Sequence, residues 1–370
     1  MTALSTSMTR APAECIITVD DTDITDFYPY IVEITVQMSR RAATTASIVL
    51  DTFRDEQGEW NIQDSGVFFP WKRIRIEACF GNYAEEIMRG YIKEVEVDYP
   101  QDKSDARVII KCQDESLLLD RHHIRRVWST EEEQMSDELI AEAIAFDRDL
   151  YYDTEPGLRN TSLNQDDTSI RFLKQRAQAN GFELFIRQGE LHFHSPRLDG
   201  DPQPTIMVHA GPATNCLNFT TKYDGHKPDR VRVFRARTRT AKQKNEPVSD
   251  SEEDVIEPNL RCLGRTAADS SGLEPEPFEW ILTRSPGATS EEITARAQAA
   301  ANENAWKLTA QGELDGALYG HVLLTHLTVD VDGVGSTYGG RYYVDEVTHI
   351  LSREGYRQQF KLLRNATGQM

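Results

Sequence analysis

The sequence has no long hydrophobic run, no closely spaced cysteine pair and no catalytic motif, and each absence excludes a class of protein. No stretch of about 18 apolar residues occurs, so no membrane-spanning helix is predicted. Residues 1–14 lack the apolar centre of a secretory signal and are expected to form a flexible arm. The five cysteines are odd in number and widely spaced, which argues against a disulfide framework or a zinc-binding motif.

Positive charge is also scarce. The 370 residues include 60 acidic and 41 basic side chains, which gives a net charge of -19. A surface of this charge repels polyanions, so neither nucleic acid nor an anionic membrane is an expected partner. The length suits two to four domains, and the unpaired cysteines fit synthesis in a reducing cytoplasm.

Residues 15–118 show the period-two alternation of short strands. Ile74, Ile76 and Ala78, for example, alternate with charged residues, and no helical pattern interrupts the segment. Six or more strands at this spacing predict a first antiparallel β-barrel or a β-sandwich.

Residues 119–214 have a different pattern and predict an α+β insert. Its first predicted helix is capped by Ser136 and has an apolar face of Leu139, Ile140, Ala143 and Ile144. A second predicted helix contains Ile170, Leu173 and Ala177 and stops at Gly181. A hairpin follows, with apolar residues alternating on both strands: Phe182, Leu184 and Ile186 on the first, and Leu191 and Phe193 on the second. Nothing in this unit points to chemistry, so we interpret it as a module that holds larger parts in place.

The rest of the chain predicts a second β-rich block, split between residues 215–240 and 316–366, which is a second β-barrel if the chain contains a duplication. Residues 241–315 between these parts read as an inserted acidic loop followed by a helix, which begins at a capping box of Thr289 and Glu292. The two barrels share a pattern: Tyr91–Val95 resembles Tyr343–Val347, and the next strand contains Lys111 in one and Lys361 in the other. The pattern suggests duplication, although short strand patterns also recur by chance.

Histidines are the obvious candidates for metal ligands. His122 and His123 are adjacent, and His192 and His194 lie on one face of a strand. Glu183 or Glu190 could contribute across the hairpin, but zinc needs further ligands with outer-sphere support, and no other cluster stands out. We therefore interpret the strand pair as polar-face residues and predict no metal site.

Three other patterns are candidate sites. The sequence GVGSTYGG at residues 333–340 lacks the lysine of a phosphate loop and predicts a hairpin turn. The dense basic stretch could face an acidic partner or form a charged edge strand; its members are Arg230, Arg232, Arg235, Arg237 and Arg239. Acidic pairs such as Asp20-Asp21 and the run at Glu131–Glu133 lie in loop-like or highly charged contexts. We predict no catalytic residue and no cofactor site.

Three blocks of the sequence together resemble the phage late control protein D family. They are SIRFLKQRAQANGFELFIRQGELHF at residues 169–193, MRGYIKEVEVDYP at residues 88–100 with VIIKCQDESLLLD at residues 108–120, and GGRYYVDEVTHILSREGYRQQFKLLRN at residues 339–365. The resemblance covers residues 15–365, and the order and spacing of the blocks make it specific.

The resemblance implies a β-rich α+β fold with two related antiparallel β-barrels and α+β insertions. It also implies a structural role without enzymatic activity, as the baseplate hub of a contractile phage tail or injection system. Such a hub is a homotrimer with pseudo-sixfold symmetry that joins the inner tube, or a tube-initiator protein, to a spike and contacts other baseplate proteins. The sequence has no OB-fold or β-helix segment after the second barrel, so the spike is expected to be a separate chain, unlike in the larger VgrG-type proteins.

Two other classes of function remain open at this point. A tail-associated cell-wall hydrolase would need a pocket with perturbed carboxylates. A carbohydrate-binding β module would need exposed aromatic platforms, for which Trp60, Trp71 and Trp128 are candidates although corner and core positions fit them better.

Overall fold

The computed structural model describes residues 13–102, 105–130, 132–160, 162–236, 251–268, 277–282 and 289–368. Strands dominate these residues, and thirteen of them form one continuous sheet. Within the described ranges, no helix is long and apolar enough to cross a membrane. Residues 1–12 of the predicted arm lie outside the described part of the chain.

The first β block contains seven strands. They are β1 (Ala13–Val19), β2 (Thr22–Asp23), β3 (Ile31–Ser39), β4 (Ala42–Asp51), β5 (Arg73–Phe80), β6 (Tyr83–Asp98) and β7 (Arg107–Asp114). The order β1-β5-β6-β7-β4-β3 is antiparallel throughout, and short 3-10 turns lie at residues 25–30 and 63–65. Ile74, Ile76 and Ala78 are buried, as the alternation predicted, and belong to the core of this block.

The insert contains three helices and seven strands. They are α1 (Ser116–Leu119), β8 (His123–Ser129), β9 (Met135–Ser136), α2 (Asp137–Phe146), β10 (Tyr151–Thr154), β11 (Arg159–Asn160), β12 (Leu163–Thr168), α3 (Ser169–Asn180), β13 (Glu183–Arg187) and β14 (Glu190–His194). Ser136 caps α2 by accepting a hydrogen bond from the Leu139 amide, and α3 ends at Gly181, whose φ is 72°. The insert has its own apolar core, which includes Leu173. The prediction was wrong for the Leu139 side chain, which is 49% exposed.

The remaining elements form the second β block and a smaller unit beside it. They are β15 (Gln203–Met207), β16 (Cys216–Tyr223), β17 (Arg230–Ala236), β18 (Ser251–Ile256), β19 (Thr266–Ala267), β20 (Glu279–Leu282), α4 (Ser290–Asn304), β21 (Leu308–Asp315), α5 (Gly316–Tyr319), β22 (Thr328–Asp332), α6 (Gly335–Tyr338), β23 (Gly340–Ser352), β24 (Gly355–Arg364) and β25 (Ala366–Thr367). The smaller unit consists of the sheet β18-β17-β20 and α4, whose Ile293 and Ala297 pack on Val231 and Val233. Strand β18 lies in a stretch for which the sequence predicted a loop, whereas the capping box of Thr289 and Glu292 is confirmed.

The two β blocks have the same strand order, which confirms the predicted fold class. In the second block the order β15-β22-β23-β24-β21-β16 repeats β1-β5-β6-β7-β4-β3, although β15 runs parallel to β22. The bulge between Ile92 and Glu94 in β6 recurs between Val344 and Glu346 in β23. A second bulge, after Ile31 in β3, recurs after Cys216 in β16. Register irregularities at matching positions are difficult to explain by chance and support an internal duplication.

Candidate functional site

The two β blocks join along one antiparallel strand pair. Residues 346–352 of β23 pair with residues 33–39 of β3, so that the two blocks form a single sheet. Val347, His349 and Leu351 are buried along this joint. Each block also keeps a core of its own on either side of the joint. The joint therefore fixes the position of one block relative to the other.

Arg40 lies at the end of the joint and connects four parts of the chain. Its guanidinium contacts Asp345 of the second block at 3.1 Å, Glu183 of the insert at 3.4 Å and Glu303 of α4 at 2.9 Å. Lys361 contacts the other Asp345 oxygen at 2.8 Å. At the β23 bulge, the β23–β24 register passes from Val344 to Glu346. Asp345 therefore lies outside the regular pairing of these two strands.

Glu183 is the most deeply buried acid in this network. Burial raises its pKa from 4.5 to about 7, and the charge of Arg40 opposes that rise. The Tyr343 hydroxyl donates a hydrogen bond to Glu183 Oε2 at 2.5 Å. Sequence reasoning missed this arrangement, because Arg40 and Asp345 are 305 residues apart and neither lies in a recognisable motif.

The Glu183→Gln variant should weaken the pH dependence of stability. The folded pKa of about 7 lies above the ordinary 4.5, so the folded chain binds this proton more tightly than the unfolded chain. The resulting stabilisation is fully present below about pH 4.5 and is lost as the pH rises towards 7. Relative to wild type, the variant should gain about 1–3 kcal/mol in free energy of unfolding between pH 5 and pH 8. Urea unfolding at both pH values checks this, and an equal difference at both would contradict it.

Each block also has a second strand edge, which corresponds to one of the two strands of the joint. Strand β16 occupies the position in the second block that β3 occupies in the first, and residues 94–98 of β6 correspond to residues 346–350 of β23. Among the described residues, β16 pairs only with β21, and residues 94–98 pair only with β7. Tyr99 is 57% exposed, whereas its counterpart Leu351, covered by β3, is 7% exposed.

Several of the predicted polar residues have intramolecular partners. His123 contacts Asp166 at the surface, with 2.7 Å between Nε2 and Oδ1. Arg230 and Arg232 contact acidic side chains of neighbouring strands in the smaller unit. The Arg235 side chain lies outside the described part of the structure, as do Arg237 and Arg239. The glycine-rich segment connects the antiparallel strands β22 and β23 through the single turn of α6, so it is a hairpin connection.

His192 and His194 gain a neighbour that sequence reasoning missed. Strand β10 runs parallel to β14 and brings Asp153 opposite His192. One ligand atom from each of Asp153, His192 and His194 lies within 4.8 Å of the other two. Burial lowers the pKa of His192 to about 4, which favours the neutral imidazole. Neither of the predicted contributors joins this cluster: Glu190 contacts the far side of His192, and Glu183 binds Arg40.

A protein-family model matches most of the chain. The model described as the Alg8 N-terminal domain matches residues 10–353. This is a different family from the late control protein D family suggested by the sequence. Comparison with curated protein sequences gives no match.

Several solved structures share the fold over nearly the whole chain. A 43 kDa tail protein of prophage MuSo2 from Shewanella oneidensis has a TM-score of 0.69 at 13% identity, with 96% of this chain and 99% of that chain covered. A tail protein from Neisseria meningitidis MC58 has a TM-score of 0.63 at 11% identity, with 96% and 97% covered. An E. coli component of the type VI secretion system, described as structurally similar to T4 bacteriophage tail proteins, has a TM-score of 0.55 at 11% identity, with 96% and 77% covered. At these identities the similarity shows a common fold.

Proposed function

This chain belongs to the Alg8 N-terminal domain family, and we propose that it is a structural hub subunit of a contractile phage tail or phage-tail-like injection particle. Three copies would form a ring in the baseplate, in which the two β blocks of each copy occupy six similar positions. One face of the ring would meet the inner tube or a tube-initiator protein, and the other a separate spike protein. The subunits would be made in the bacterial cytoplasm and assemble there.

The observation that carries the proposal is a pair of strand edges, β16 and residues 94–98 of β6, that correspond to the two strands of the joint. If β16 of one copy pairs with β6 of the next as β3 pairs with β23, the register follows from the bulges shared by the blocks. Glu96 then lies opposite Lys222, and Val95 lies opposite Tyr223. The first pair is oppositely charged, and such cross-strand pairs stabilise a sheet.

Pairing of this kind is head-to-tail, because one copy contributes β16 and its neighbour contributes β6. A head-to-tail contact produces a closed ring when its rotation closes and an open filament when it does not. If the rotation from one block to the next is the same within a copy as between copies, three copies place six blocks evenly around the ring. Such a ring could bind a sixfold tube on one face and a threefold spike on the other.

The similarity to tail and type VI secretion proteins supports placement in a tail baseplate. The low sequence identity limits that support to the fold, so the partners rest on the resemblance to the late control protein D family. The net charge of -19 favours protein partners over nucleic acid or an anionic membrane.

Cysteine cross-linking between copies tests the ring. In assembled particles, the Glu96→Cys/Lys222→Cys variant should form reducible covalent dimers and trimers under mild oxidation, because directly opposed strand residues lie within disulfide range. Denaturing gels should show a ladder that ends at three copies. Each single variant measures the background from the five native cysteines.

The matched control uses the equivalent pair inside one chain. Gln37 and Thr348 are directly opposed across the joint, so Gln37→Cys/Thr348→Cys should form an intramolecular disulfide without covalent oligomers. A disulfide in this control with none between copies in the particle would contradict the proposed pairing. A ladder that continued beyond three copies would contradict the closed ring.

The proposal assigns no catalytic activity to the chain. A tail-associated cell-wall hydrolase, the alternative, would release soluble fragments from peptidoglycan. Release by the purified protein, abolished by one carboxylate-to-amide change, would favour the hydrolase over the structural hub.

A further inference from the structure

We propose that Asp153, His192 and His194 bind a divalent transition-metal ion, and that Zn²⁺ suits this ligand set best. The ion would connect β10 to β14 inside the insert and stabilise the insert. The proposal is independent of the hub function, and it replaces the interpretation of the strand histidines as polar-face residues alone.

The distances between the ligand atoms are close to those of a coordination sphere. Oδ2 of Asp153 lies 3.3 Å from Nδ1 of His192 and 3.9 Å from Nε2 of His194. Nitrogen and oxygen ligands about 2.1 Å from a tetrahedral Zn²⁺ lie about 3.4 Å from one another. Small side-chain rotations would therefore place the three atoms around one ion, with a fourth position left for water.

Each candidate ligand already has the outer partner that a metal ligand needs. Nδ1 of His194 donates to the Ser195 carbonyl at 2.7 Å, which leaves the Nε2 lone pair directed towards Asp153. Nε2 of His192 lies 3.5 Å from Glu190, and both Asp153 oxygens accept hydrogen bonds from Arg197. Such contacts fix the tautomer and orientation of metal-binding histidines and carboxylates.

Arg197 supplies a cation to both oxygens of Asp153, whereas the histidine nitrogens of the cluster face carboxylates. A neutral His192 carries one N–H but has a carboxylate beside each ring nitrogen, so one lone pair faces a carboxylate oxygen in either tautomer. The Nε2 lone pair of His194 also faces Asp153. A metal ion bound to Nδ1 of His192, Nε2 of His194 and Oδ2 of Asp153 would use these lone pairs as ligands.

Packing around the cluster holds the ligands in place and limits the access of water. Phe185 stacks on the His192 ring at 4.4 Å between centroids and holds it in place. The Arg197 side chain is 54% exposed, so it can keep its contact with Oδ1 of Asp153 while Oδ2 turns to the ion. The side chains of His192 and His194 are only 15% and 5% exposed, which limits competition from water.

Metal titration of the full chain tests the proposal. After treatment with a chelator and removal of any affinity tag, the protein should bind one equivalent of Zn²⁺, as measured by calorimetry. Zn²⁺ binding should raise the melting temperature of the protein by at least about 2 °C. Co²⁺ should give the strong visible absorption of a four-coordinate site. His194→Gln and Asp153→Asn should each weaken Zn²⁺ binding at least about 10-fold.

His123→Gln is the matched control, because His123 also sits beside a carboxylate but at the surface. It should leave the Zn²⁺ affinity and the Co²⁺ spectrum unchanged. If His194→Gln does not fold in the presence of chelator, judged by circular dichroism, His192→Gln takes its place. No binding at millimolar Zn²⁺, or binding of equal affinity in wild type and the ligand variants, would overturn the proposal.

Discussion

Replacing Arg40 with methionine should lower the free energy of unfolding by about 3–5 kcal/mol at pH 8. The Arg40 side chain is 7% exposed, as is Asp345, and Glu183 is 4% exposed. Methionine retains much of the apolar length of arginine but leaves these carboxylates without their shared cation. Urea unfolding of the two proteins measures the loss, which should be smaller at pH 5 because the deprived carboxylates can bind protons there.

Arg41→Met provides the control for the same chemical change. Arg41 contacts the same Glu303 through a side chain that is 66% exposed, so its loss should cost at most about 1 kcal/mol. In the Arg40→Met background, Glu183→Gln should recover part of the lost stability because one buried charge is removed. Equal losses for Arg40→Met and Arg41→Met would show that the buried network does not hold the joint together.

The local patterns in the sequence predict most of the strands and helices. Ile74, Ile76 and Ala78 follow the period of a half-buried strand, and the predicted alternation matches their burial. The duplication is also visible in the sequence, since Tyr91–Val95 and Tyr343–Val347 occupy equivalent strands. These signals depend on neighbouring residues, which is why they can be read without the fold.

The joint and the metal cluster depend on pairings between distant segments. Nothing close to Arg40 in the sequence indicates Asp345, because the two meet only when β3 pairs with β23. Asp153 was missed for a similar reason: it lies in a short polar segment whose strand forms by parallel pairing with β14. The acidic composition of strand β18 is typical of a loop, but the strand pairs with the basic strand β17, whose Arg232 contacts Glu253.

Replacing Leu173 with alanine should lower the stability of the insert by about 2–5 kcal/mol. Leu173 is fully buried on α3 and belongs to the apolar core of the insert. Truncation removes its contacts and leaves a cavity that close-packed neighbours can fill only in part. Urea unfolding, together with hydrogen exchange of the α3 amides, measures the loss in the unit that contains the substitution.

Leu139→Ala separates the effect of burial from that of helix propensity. Both residues lie within helices of the insert, but the Leu139 side chain is 49% exposed, so the same truncation there should change stability by at most about 0.5 kcal/mol. A buried core in the insert predicts a large loss for Leu173 and a small one for Leu139. Equal losses would show that Leu173 is not in such a core, and the insert could not then act as a rigid support beside the joint.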